Sequence, residues 1–106
     1  MPKFLVQGSY TPEGLQGVLA EGGTGRRAAT QEAIESLGGR LESFYFAFGG
    51  TDVFAVADLP DNTAAAALAL TVTAGGGATV RTVVLLTPDE VDAAVEQKVK
   101  YTPPGS

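Results

Sequence analysis

The sequence predicts an α+β domain with the element order βαββαβ and one further helix at its end. Two observations carry that expectation. Stretches with strand-like alternation exchange with stretches that open on helix caps and close on glycine. The two middle strands are joined by about four residues, too few for the crossover a parallel sheet needs, so they form a hairpin. The 106 residues show no internal shift of composition. One domain is expected over residues 1–98, with 99–106 as a flexible tail.

Lys3 to Tyr10 alternates as a strand, with Phe4 and Val6 on one face and Leu5, Gln7 and Ser9 on the other. Thr11-Pro12-Glu13 then starts a helix: a capping hydroxyl, proline in the first turn, and an acid at the positive end of the dipole. Gly22-Gly23 punctuates that helix, Thr24 or Gly25 restarts it, and Gly38-Gly39 ends it. In its second half Ala28, Ala29, Ile34 and Leu37 make a partial apolar stripe. Arg40 to Phe48 is an aromatic-rich strand, Gly49-Gly50-Thr51-Asp52 a turn, and Val53 to Leu59 the next strand. Pro60-Asp61-Asn62 caps an alanine-rich helix over Thr63 to Thr73, which the glycine triplet at 75–77 ends. Thr79 to Leu86 is the fourth strand. Thr87-Pro88-Asp89-Glu90 is a capping box that opens a helix running to Lys98 or Lys100. Two split βαβ units of this kind give a four-stranded antiparallel sheet with helices on one face, the ferredoxin-like plan.

Cysteine and histidine are both absent. Disulfides, thiolate or imidazole metal sites and histidine general bases are therefore excluded, while oxygen-only cation binding is not. No cofactor is expected. The net charge of −5, with no stripe of cations, argues against a nucleic-acid partner. The uncharged stretch from Asn62 to Val80 is mostly Ala, Thr and Gly and is broken by glycines, unlike a spanning helix. No membrane association is expected, and Met1 to Val6 is too short in apolar length for a signal peptide. A cytoplasmic location is the expectation.

A sheet with helices on one side leaves its other face in water, where every second residue should be polar. Here both parities are apolar. Phe44, Phe46 and Phe48 stand against Tyr45 and Ala47, and Val53, Ala55 and Ala57 against Phe54 and Val56. In the fourth strand Val84 and Leu86 oppose Val83 and Leu85. Such a face is larger than a monomer usually exposes, so a homodimer or higher homo-oligomer is expected. The competing account is that the terminal helix folds back to cover it. Ala64 to Leu70 leaves no polar side, which agrees with burial all round, although alanine also favours helices wherever they lie.

The segments Lys3-Phe4-Leu5-Val6-Gln7-Gly8-Ser9-Tyr10-Thr11, Ser36 to Tyr45, Asp58-Leu59-Pro60-Asp61, Val80 to Val83 and Leu86-Thr87-Pro88 resemble the GYD domain family. The signature Gly-Tyr-Asp of that family falls here on Phe48-Gly49-Gly50-Thr51-Asp52, with threonine in place of the tyrosine. Any role of that ring is therefore not carried over. The resemblance implies a dimeric α+β barrel, in which two sheets pack face to face, and supplies no activity.

Five residues are candidate ligand contacts: Gln7, Tyr10, Tyr45, Asp52 and Arg81. Asp52, after the glycine turn, either meets a ligand at the barrel mouth or bonds turn amides to fix the hairpin, the preferred reading. Arg81, alone in an uncharged strand, either holds an anion or pairs with Asp58 or Glu42, and the pair is preferred. Gln7, Ser9 and Tyr45 either line a cavity or are ordinary strand polarity. Gly22 to Gly25 before Arg26-Arg27 matches no phosphate-binding spacing, so a kinked helix with solvated arginines is expected. Two functions follow. One is an oligomeric domain that binds a small apolar or anionic molecule at a subunit boundary or cavity. The alternative is a cofactor-independent enzyme, isomerase- or monooxygenase-like, using Tyr10 or Tyr45 with Arg81 and Asp52, as in related barrels.

Overall fold

The computed structural model describes residues 1–106. The elements are β1 (Lys3–Tyr10), α1 (Pro12–Ser36), β2 (Arg40–Phe46), β3 (Val53–Asp58), α2 (Asn62–Ala74), β4 (Ala78–Leu85) and α3 (Pro88–Val95). The strands form one sheet in the order β2-β3-β1-β4, with every pair antiparallel. This is the ferredoxin-like βαββαβ plan with an extra C-terminal helix.

The caps explain where the helices begin and end. Thr11 Oγ1 accepts from the Gly14 amide at 3.1 Å and donates to the Gly76 carbonyl at 2.9 Å. The Thr11 amide donates to the Gly77 carbonyl at 3.0 Å, so the start of α1 is clamped to the loop before β4. Gly14 permits that approach, because a Cβ there would overlap the Gly77 carbonyl. At its other end α1 closes with Gly38 in the left-handed region. The Gly38 and Gly39 amides return to the Glu35 and Ile34 carbonyls, which satisfies two orphan acceptors. Asp61 caps α2 through the Ala64 amide at 2.8 Å. The capping box of α3 is complete, with Thr87 and Glu90 each bonding the other's amide.

Several boundaries differ from the expectation. β2 stops at Phe46, because pairing ends at Phe46 opposite Val53 and Ala47 turns to bond Asp52 across the hairpin. The inward stripe of α1 is Thr30, Ala33, Ile34 and Leu37, while Ala28 and Ala29 face solvent. α2 is not buried all round: Ala65 and Leu68 face the sheet, and Leu70 is 72% exposed. Alanine there serves helix propensity rather than burial. α3 ends at Val95.

The pleat sorts the sheet into two faces. Phe4, Val6 and Gly8 of β1 lie opposite Ala57, Ala55 and Val53 of β3, on the side covered by α1 and α2. With Ile34, Leu41, Leu59, Ala65 and Leu68 they build one small core. Only 11 of 106 residues are buried, too few for a chain of this length to hide its apolar surface by itself. The other face carries Leu5 opposite Val56 and Val83, and Gln7 opposite Phe54 and Arg81. No helix covers it. Instead α3 runs off the body, and none of its residues is buried. The molecule therefore measures 56 × 33 × 22 Å with a radius of gyration of 16.8 Å, against about 13 Å for a compact domain of this size.

Candidate functional site

The site is built where α1 bends. Gly22 has φ 77° and ψ 173°, which interrupts the helix and lets its second half start anew against the sheet. From that start Arg26, Thr30 and Ile34 recur every fourth residue and share one face. Ile34 is fully buried at the bottom of that face. Above it Thr30 donates its hydroxyl proton to the Arg26 carbonyl at 2.9 Å. Arg26 stands highest, and its Nη1 reaches back across the bend to Glu21 Oε2 at 3.3 Å.

Between this face and the sheet lies an apolar chamber of about 90 Å³. Val6, Phe44, Val53 and Ala55 form its sheet side, and Leu68 and Val72 of α2 close it. The Phe44 ring is held edge-to-face on Phe46, with centroids 5.2 Å apart. Arg26 is the only charged residue on the lining, and Tyr10 and Thr30 supply the hydroxyls. Tyr10, Arg26, Val72 and Ala78 also border a more polar vestibule of about 300 Å³ floored by Gly14, Gly17, Gly75 and Gly77, with Glu21 on its wall. These four shared residues are the throat between the two spaces. Vestibule and chamber together fall in the range of small-molecule sites, roughly 300–1,000 Å³. The pair that borders the throat is weak, since the Arg26 and Glu21 side chains are 32% and 46% exposed. A ligand acceptor can therefore take the guanidinium from Glu21 at little cost.

Of the residues singled out in the sequence, Tyr10 alone lines this chamber. Asp52 bonds no turn amide with its carboxylate and instead ties the turn to β1: its Oδ2 accepts from the Tyr10 amide at 2.9 Å and its own amide donates to the Gly8 carbonyl at 2.8 Å. Gln7, Tyr45 and Arg81 stand on the opposite, open face, in one row with Phe54. Tyr10 and Arg81 therefore face away from each other across the sheet, and one protomer does not bring them together. The expected partner of Arg81 is also absent, because Arg81 makes no ion pair. Asp58 lies opposite Lys3 and Arg81 opposite Gln7, four residues or about 13 Å further along β1. The sequence reads Arg26 as a solvated cation, and the bend at Gly22 instead turns it inward above Thr30 and Ile34.

Asp58 belongs instead to an ion cluster at the far end of the open face. Its carboxylate accepts from Lys3 Nζ at 2.9 Å and from Arg40 at 3.2 Å, and Lys3 also reaches Glu42 at 3.1 Å. Glu42 occupies the irregularity between Leu41 and Ser43, where β2 and β3 slip register. The Lys3 ammonium, helped by Arg40, holds the Asp58 carboxyl below its ordinary value despite burial. Asp58 and then Glu42 hold the Lys3 ammonium above its own. No three acidic side chains gather into a set that holds a cation. No helix is long and apolar enough to cross a membrane.

The βαββαβ order, the 2-3-1-4 sheet and the bare sheet face define a ferredoxin-like α+β domain. The GYD domain family matches residues 4–95, and the chain belongs to that family. Neither a curated protein nor a solved structure is significantly similar to it.

Proposed function

We propose that the protein is a homodimeric binder of a small, largely apolar molecule with a hydrogen-bond-accepting end. Two copies cover each other's open sheet face, and each copy receives ligand in the chamber between sheet and helices. The observation that carries the ligand reading is the chamber itself: an apolar space with one charged group, Arg26, at its throat. The apolar part of the ligand enters among Val6, Phe44 and Val72, where burial is favourable by about 25 cal/mol per Å². Its carbonyl or carboxylate oxygen accepts from the Arg26 guanidinium, displacing Glu21.

Benzoate and phenol are suitable probes, titrated against isotope-labelled protein by NMR. The expected result is perturbation of the Val6, Leu68 and Val72 methyl signals, with the Val6 and Leu68 perturbations lost in Val72→Phe, which fills the chamber. Arg26→Gln weakens benzoate more than phenol. Perturbations that persist unchanged in Val72→Phe, or none at millimolar probe, refute the chamber as a binding site.

A further inference from the structure

We infer that the C-terminal arm, from Leu86 through α3 to Tyr101, is an exchanged element that grips a second copy of this chain at the rim of its open sheet face.

Four observations lead there. First, α3 is well made yet stays exposed to solvent. Its capping box is complete and proline occupies its first turn, but no residue of it is buried. A helix of eight residues is marginal in water without a packed face, so its order calls for a covering surface. Second, that face exists. Val91, Ala94 and Val95 lie at i, i+3 and i+4 on one side, while Asp89, Asp92 and Glu96 point to the other. Val95 is 73% exposed, and Leu86 and Tyr101 at either end of the arm are similarly bare. Third, the arm does not fold back: from Leu86 and Thr87 it continues outward beyond the end of β4 and gives the molecule its 56 Å length. Short hinges of this kind favour exchange between identical protomers.

The fourth observation selects the occupant. The open face spans four strands of up to eight residues, a projected area of roughly 500 Å². A stable dimer buries about 800 Å² per partner, so the sheet alone falls short and the arm supplies the remainder. Lys3 and Arg40 on that face are already paired with Asp58 and Glu42, whereas Arg81, on edge strand β4, is exposed and makes no ion pair. Arg81 thus leaves a positive charge on that rim, and the acidic side of α3 complements it. Because the arm leaves from the end of edge strand β4, a face-to-face dimer holds each arm beside the partner's rim at high effective concentration.

This inference rests on the face-to-face dimer, and the experiment separates the two. The doubly substituted full chain Val91→Asp/Val95→Asp is compared with wild type by sedimentation equilibrium. Since no residue of α3 is buried in its own protomer, circular dichroism of the body stays unchanged, and the dimer dissociation constant rises on the order of 100-fold. In parallel, a nitroxide is placed on Gln97→Cys, the sole thiol in a chain without cysteine. Mixed with isotope-labelled wild type, it broadens the amide signals around Arg81 and Val83 of the unmodified copy. A wild-type dimer whose constant is unmoved by the double substitution, or whose amides show no broadening between copies, overturns the exchanged arm and leaves the sheet-face dimer standing. A monomeric wild type overturns both.

Discussion

Phe54 lies at the centre of the open face, in register with Gln7 on one side and Tyr45 on the other, and 37% of it is exposed. A phenylalanine side chain presents on the order of 200 Å², so about 75 Å² of ring awaits cover. At about 25 cal/mol per Å², covering it contributes about 2 kcal/mol per copy. A two-fold contact counts the residue twice, about 4 kcal/mol in all, so Phe54→Asp raises the dissociation constant at least 500- to 1,000-fold. The true effect exceeds this, because the new carboxylate must also be desolvated beside Val56 and Leu5. Sedimentation equilibrium over roughly 1–100 μM covers the shift for a wild-type constant near or below micromolar. Circular dichroism serves as the control, since the side chain points away from the core and the protomer fold is retained. An F54D protein that associates as wild type does refutes the face as the interface. Val83→Asp, on the same face opposite Leu5, is a second probe with the same expected direction.

Three further outcomes follow from the packing and the charges. Ile34→Ala removes a fully buried side chain at the base of the chamber and lowers unfolding free energy by about 2–5 kcal/mol in urea titration. Gly14→Ala forces the α1 start away from the Gly77 carbonyl and costs about 1–3 kcal/mol by the same assay, whereas Gly17→Ala, with only the flexible Glu21 side chain within reach, stays near wild type. Asp58 is held below its usual value of 3.8 in the folded chain, so its charged form stabilises the fold fully above that pH and the contribution fades as pH falls through the depressed value. Asp58→Asn is therefore less stable than wild type at pH 7, and the difference narrows towards pH 2. Lys3 acts in the opposite sense: raised above 10.5, its contribution is intact below that pH and is lost as pH climbs through the higher folded value.

The element order was legible because the punctuation is local. Thr11-Pro12, Asp61 and Thr87-Pro88-Asp89-Glu90 each mark a helix start by chemistry within four residues, and the structure uses every one of them. The short loop between β2 and β3 made the sheet antiparallel. Which parity faced the helices was not legible, since Ala55 against Val56 and Val83 against Val84 differ little in hydropathy. That choice depends on the register of β1 against β3 and β4, which is a long-range property. Arg81 was likewise misjudged for want of register: Asp58 is in the adjoining strand pair but about 13 Å too far along. Arg26 escaped notice because a charge on a helix normally marks the solvent side. The bend at Gly22 rotates the second half of α1 so that Arg26 heads an inward row, and the size of that rotation is not written in the residue types. The outward course of α3 was not legible either, since its start at Thr87-Pro88 reads like Thr11-Pro12, after which α1 packs on the sheet.

The central claim is that this sheet is finished only by another copy of itself. Multi-angle light scattering of the full chain, diluted to on the order of 10 μM, tests it most directly. The account predicts twice the protomer mass of 10.8 kDa, or a higher multiple. A well-behaved species of 10.8 kDa at every concentration contradicts it.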